Sequence, residues 1–155
     1  MDVKDVMNPN VVTCSLDTPI REVAQLMKQE SVSGIPVVDE GKVVGIVSEG
    51  DILKLLTVPE HGGLWLPSPF EVIEVPIREL LNWEETKNML EDIGSKPIRE
   101  IMTKSVYAIG PDASIEDAAA VITKHKINRL PVVYEDGTLV GIITRGDIIY
   151  GLGQL

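Results

Sequence analysis

The sequence predicts an α+β fold, two β-α-β-β-α units with a looped and helical segment inserted between them. Three observations carry this. The chain repeats itself at an offset of 95 residues, which aligns Met7 with Met102, Asp17 with Asp112, Ala24 with Ala119 and Pro36-Val37-Val38 with Pro131-Val132-Val133. Within each copy the apolar spacing changes from that of a helix to that of strands. Each strand pair is punctuated by an acidic-Gly turn, Glu40-Gly41 in the first copy and Asp136-Gly137 in the second. The register slips by one residue at that turn, so that Gly45, Gly50 and Asp51 match Gly141, Gly146 and Asp147. Hairpin turns tolerate such a difference.

In chain order, Val11-Val12-Thr13-Cys14 reads as a short strand or extended entry, as does Val106-Tyr107-Ala108-Ile109. A helix follows, apolar at Ile20, Val23, Ala24 and Met27, and at Ile115, Ala118, Ala119 and Ile122, the spacing of one buried face. Thr18 before Pro19, and Ser114 three residues before Asp117, are its expected starts. Ile35 to Val38 and Val43 to Val47 form the first hairpin, and Leu130 to Val133 and Leu139 to Ile143 the second. A closing helix is expected from Asp51 and from Asp147.

The units occupy residues 1–56 and 97–155, and the insert 57–96 is longer than an ordinary connection. Its first half is rich in glycine and proline, with a short strand expected around Phe70 to Val75. Its second half predicts a helix over 83–93 capped by Asn82. Trp65, Trp83 and Phe70 all fall here and are expected to pack over the repeats. With eight acidic residues against three basic ones, the insert holds half of the net charge of −10 and should present a solvated acidic face.

That charge opposes non-specific binding to nucleic acid, which needs Lys and Arg to neutralise phosphates. It still allows a small phosphorylated ligand, for which two or three local cations suffice. No apolar run approaches the roughly 20 residues of a membrane span, and the N-terminus lacks the basic and apolar regions of a signal peptide. A cytoplasmic location is expected, in keeping with a single cysteine, Cys14, that has no internal disulfide partner.

The chemistry concentrates where each hairpin runs into its closing helix, at Ser48-Glu49-Gly50-Asp51 and Thr144-Arg145-Gly146-Asp147. Unpaired N–H groups of a first helical turn favour anionic or hydrogen-bonding ligands, and a hydroxyl and a carboxylate three residues apart could hold the two hydroxyls of a ribose. The same residues also read as N-caps and partners of the helix dipole.

Two copies of an apolar-Pro-Val-Val strand, an acidic-Gly turn and a Gly-apolar-apolar-Ser/Thr-x-x-Asp close resemble a tandem pair of CBS domains, also called a Bateman module. The resemblance covers both repeats and leaves only the insert outside. It implies subdomains related by a pseudo-two-fold axis, with two clefts between them that take AMP, ADP, ATP or S-adenosylmethionine, and pairing of modules through exposed helices into a homodimer. The family's ribose-binding aspartate maps to Asp51 and Asp147, and its hydroxyl residue to Ser48 and Thr144. Its adenine-holding positions map to Val12, Thr13, Gly34 and Ile35 in the first copy and to Tyr107, Ala108, Arg129 and Leu130 in the second.

The copies differ where a phosphate would be held. The second has Arg129 and Arg145 where the first has Gly34 and Glu49, and an Arg grips phosphate through a planar fork of donors that a Glu would oppose. The nucleotide cleft is therefore expected around Arg129, Thr144, Arg145 and Asp147, with a first cleft that is weak, empty or suited to a less charged ligand. The arginines could instead be solvated, or one could pair with Glu49. His61, His125 and Cys14 lack metal-ligand spacing, so neither a metal nor a cofactor is expected, and no nucleophile elbow marks a catalytic residue. The sequence thus predicts a regulatory, ligand-sensing module rather than an enzyme. A structural dimerisation or partner-binding module with vestigial clefts, its protein partner unknown, is the alternative.

Overall fold

A computed structural model describes residues 1–57, 63–67, 72–76 and 83–155. The first repeat consists of α1 (Val3–Val6), α2 (Ile20–Gln29), β1 (Gly34–Asp39), β2 (Lys42–Ser48) and α3 (Glu49–Thr57). The insert contributes β3 (Gly63–Pro67), β4 (Val72–Pro76) and α4 (Trp83–Ser95), and a 3₁₀ turn follows at Ile98–Glu100. The second repeat then runs α5 (Ile115–His125), β5 (Arg129–Val133), β6 (Leu139–Thr144) and α6 (Arg145–Leu152).

Both hairpins are antiparallel, and the repeat extends to their irregularities. Val37 pairs with Gly45 and Val38 with Val43, leaving Val44 as a bulge; Val132 pairs with Gly141 and Val133 with Leu139, leaving Val140. The expected entry strands appear as single parallel bridges, Cys14 to Val37 and Ile109 to Val132. The side chains that alternate inward, Ile35, Val37 and Val47 in one hairpin and Leu130, Val132 and Ile143 in the other, are fully buried. They meet Ile20, Val23 and Met27 of α2 and Ala118 and Ile122 of α5 to form two cores, whereas Ala24, expected on the buried face of α2, is exposed and Ala119 is only half-buried.

Each core is completed by a segment that sequence assigns to the other repeat. Val3 of α1 is buried in the second core, and Ile98 in the first. The hydrogen bonds repeat at the 95-residue offset. Val3 and Lys4 N–H donate to the carbonyls of Ala113 and Pro111, and Ile98 and Arg99 N–H donate to those of Thr18 and Leu16. Asn8 exchanges two backbone bonds with Ile142 on β6, as Thr103 does with Ile46 on β2. Even the exposed ion pairs correspond, Lys4 with Asp112 and Arg99 with Asp17. Two close approaches correspond as well: the Met7 sulfur lies over Gly141 and the Met102 sulfur over Gly45, so that a Cβ on either glycine would overlap it. These strand positions therefore call for glycine on grounds of space.

Several expectations are corrected here. Helix α2 starts at Ile20 with Pro19 at the cap position and no side-chain cap, so Thr18 does not cap it; the Thr18 hydroxyl instead accepts from Ser15 N–H. The closing helices begin at Glu49 and Arg145, two residues before Asp51 and Asp147, because the hydroxyl residue ends the strand and the aspartate takes the third helical position. In the insert, the strand expected around Phe70 to Val75 is described over Val72–Pro76, where it pairs with β3, while Phe70 and the cap Asn82 lie outside the described residues. The predicted helix over 83–93 continues to Ser95; it packs on α2, and Ile93 is its one buried residue. Trp83 does not pack over the repeats, being 78 % exposed at the start of α4. The side chains of Trp65 and Phe70 lie outside the described residues. Glu84, Glu85, Glu91 and Asp92 give α4 the acidic exposed face that was expected.

Candidate functional site

The two strand-to-helix junctions are built alike. Thr144 N–H and its hydroxyl both donate to Asp147 Oδ2, at 2.8 and 2.9 Å, while Asp147 N–H donates back to Thr144 Oγ1 at 3.2 Å. Ser48 and Asp51 form the same reciprocal set at 2.9, 3.2 and 3.4 Å. This is a capping box, so the residues do act as N-caps. Capping leaves ligand binding open, because each half-buried carboxylate accepts through Oδ2 and keeps Oδ1 as an acceptor. The junction is braced by its neighbour loop: Glu49 N–H donates to Ser33 O, and Arg145 N–H to Asn128 O.

Two clefts open at these junctions, and both are assembled from both repeats. In a cavity of about 370 Å³, Thr144, Arg145 and Asp147 face Ser33 and Gly34 of the first repeat, with Asn8 and Arg129 also on its wall. In a cavity of about 260 Å³, Ser48 and Asp51 face Tyr107, Lys126 and Arg129 of the second. Volumes near 300 Å³ fall at the small end of the range for small-molecule sites. Tyr107 is stacked on His125, with ring centroids 3.7 Å apart and planes 17° from parallel, so an aromatic wall stands opposite Asp51.

Of the remaining sequence-derived positions, Ile35 and Leu130 are fully buried in the two cores, where their strands support the clefts from beneath. Val12 and Ala108 are not among the lining residues of either cleft, and Thr13 lies on a separate shallow depression with Cys14 and Glu40. Glu49 lines a groove with Ala24 and Lys28 and is not among the residues lining the first cleft, although its charge still acts on Arg129 there. The cations that line the clefts are Lys126 and Arg129 in the first and Arg129 and Arg145 in the second.

Arg129 does not form an ion pair with Glu49 among the described residues; its guanidinium donates to Ser33 Oγ. Burial lowers its pKa from the ordinary value, and the nearby Glu49 charge partly offsets this. Arg145 Nη1 reaches Asn128 Oδ1 at 3.4 Å and is otherwise exposed. Sequence reasoning missed Asn8 and Lys126, and gave Ser33 and Asn128 only as the neighbours of Gly34 and Arg129 where the two copies differ. Asn8 carried a signal, since it follows Met7 as Thr103 follows Met102, and both of these polar residues line clefts.

Comparison with known proteins agrees with this architecture. The family model of the CBS domain matches residues 3–58 and again residues 98–153. The chain belongs to the CBS-domain family. This CBS pair is 41 % identical over 154 residues to the uncharacterized protein MJ1426 of Methanocaldococcus jannaschii, covering 98 % of this chain and 91 % of that one. Among solved structures, the CBS pair is similar to CBSX2 of Arabidopsis thaliana in complex with AMP, with a TM-score of 0.72 and 28 % identity over 99 % of this chain and 96 % of that one. It is also similar to the CBS domain pair of protein MJ0100 in complex with 5′-methylthioadenosine and S-adenosyl-L-methionine, with a TM-score of 0.70 and 27 % identity, covering 99 % and 97 %. CBS pairs of this shape therefore include proteins that bind adenosine-containing ligands. Among the described residues no helix is long and apolar enough to cross a membrane.

Proposed function

We propose that this CBS pair is a regulatory module that binds an adenine nucleotide, AMP, ADP or ATP, in the cleft between its repeats, chiefly the cleft of Asp147. The observation that carries this reading is the convergence of Asp147, Arg145 and Arg129 on one cavity at a helix N-terminus. Asp147 Oδ1 would accept the ribose hydroxyls, with Thr144 holding the carboxylate in place. Arg145 and Arg129 would meet the phosphates, and the Gly34 strand edge and apolar wall would take the base. Ligand bridging the repeats would shift the protein between conformations to the extent that it binds one better than the other. The AMP complex of CBSX2 supports a nucleotide, and the MJ0100 complex keeps S-adenosylmethionine as the second candidate ligand.

Calorimetric titration of ligand-stripped protein with AMP, ADP, ATP and S-adenosylmethionine tests this. Micromolar or tighter binding that Asp147→Ala abolishes, and that Arg145→Ala weakens only for phosphorylated ligands, is expected. Silence across the panel sinks the proposal. Recovery of the bound nucleotide unchanged after prolonged incubation distinguishes a sensor from an enzyme.

One observation favours a second reading, a homodimerisation or partner-binding module. Leu53 of α3 and Ile149, Tyr150 and Leu152 of α6 are 58–68 % exposed on the closing helices. Sedimentation of Ile149→Asp, monomeric where the parent is dimeric, is the outcome this reading requires.

A further inference from the structure

Arg129 stands where the two clefts meet. It opens β5 opposite Thr144, and its counterpart in the first repeat, Gly34, opens β1 opposite Ser48. The guanidinium lies against Gly34 so closely that a Cβ there would overlap it, and it donates to Ser33 in the loop before β1. Near the pseudo-dyad there is thus room for one arginine and not for two. Asn128 and Arg129 line both cavities, whereas Arg145 lines only the second and Lys126 only the first.

We propose that Arg129 is a single phosphate-binding side chain shared by the two clefts, so that an anionic ligand in one weakens the binding of an anionic ligand in the other. This rests on the adenosine reading above and adds a coupling to it. A guanidinium on a flexible stem can leave the neutral Ser33 hydroxyl for a phosphate, where its hydrogen bonds become charge-assisted on both sides. Drawn into one cleft, it is withdrawn from the other, and linkage makes the effect reciprocal. A neutral nucleoside recruits no cation and should leave the neighbouring cleft unaffected. The loss of one charge-assisted contact corresponds to a coupling of about tenfold in affinity.

The test uses two single-cleft proteins, Asp51→Ala and Asp147→Ala, titrated calorimetrically with AMP and with adenosine, each with and without Arg129→Gln. The expected result is an AMP affinity about tenfold lower with Arg129→Gln in both single-cleft proteins, with adenosine changed by less than about threefold. In the parent, the second AMP should bind about tenfold more weakly than in the same cleft studied alone. Arg129→Lys keeps the charge without the fork and should lose less than Arg129→Gln in both backgrounds, which separates charge from a packing defect. An AMP loss confined to one cleft, or equal losses for AMP and adenosine, overturns the sharing and leaves the adenosine reading intact. No binding of either ligand to any protein overturns both.

Discussion

Ile98 belongs by sequence to the second repeat and by packing to the core of the first, which makes its truncation informative. It is fully buried, and it lies with Val23, Ile35 and Val47. Ile98→Ala removes three carbons, worth roughly 2.4 kcal/mol at about 0.8 kcal/mol each. The cavity left among β-branched neighbours adds to this, giving about 3–4 kcal/mol, inside the roughly 2–5 kcal/mol found for such truncations. Against a typical domain stability of about 5–15 kcal/mol, that is a large fraction. Urea unfolding should show the midpoint fall with an unchanged slope. Hydrogen exchange should report where the loss falls, with protection dropping first in α2, β1 and β2, residues 20–48, although the mutated residue lies some fifty positions downstream of them. A loss below about 1 kcal/mol, or early exposure of β5 and β6 with the first repeat intact, would refute the reciprocal packing.

Three other perturbations probe separate features. Gly141→Ala places a methyl against the Met7 sulfur and should cost about 1–3 kcal/mol in urea unfolding, with Met7→Ala recovering part of it; simple additivity in that double-mutant cycle would deny the contact. Thr144→Ala removes the α6 cap and should cost about 1 kcal/mol, close to the effect of Ser114→Ala at the start of α5, and an effect near zero would show that the capping box is not formed in solution. Burial pushes the Cys14 thiol up to about 11 from 9.0, so the folded state holds its proton more tightly than the unfolded state does. That contribution is complete below pH 9.0 and is lost as pH rises through about 11. It amounts to about 2–3 kcal/mol, and Cys14→Val should remove that part of the alkaline decline in stability; an unchanged decline would place the titration elsewhere.

Features written in local pattern were legible before the fold was seen. The duplication, the two hairpins with their one-residue difference, and the buried faces of α2 and α5 depend on spacing alone, and spacing is what periodicity records. The Ser/Thr-x-x-Asp junctions were legible as a motif with two readings, cap and ligand holder, but the sequence could not say that the cap would use Oδ2 of the aspartate and leave Oδ1 as an acceptor. What escaped is long-range. No local signal says that Val3 packs beneath β5 or that Ile98 packs beneath β1, because the sequence offset aligns the two segments without revealing that they trade places. Glu49 was expected in the first cleft because Arg145 occupies its position in the second, yet it lines a groove beside α2 and reaches the clefts only through its charge on Arg129. Arg129 could be read as a cation, though not as one lying over the glycine that replaces it in the first repeat.

The trading of segments makes each half of the chain carry the missing piece of the other. A fragment ending at residue 57 would hold an open socket where Ile98 belongs and would present α1 as a plug without a home, and a fragment beginning at residue 97 would show the converse. Neither half should be sound by itself, and the two expressed as separate chains should find each other. The covalent link through the insert then acts as a tether that raises the local concentration of complementary parts, rather than as the connection that defines the fold.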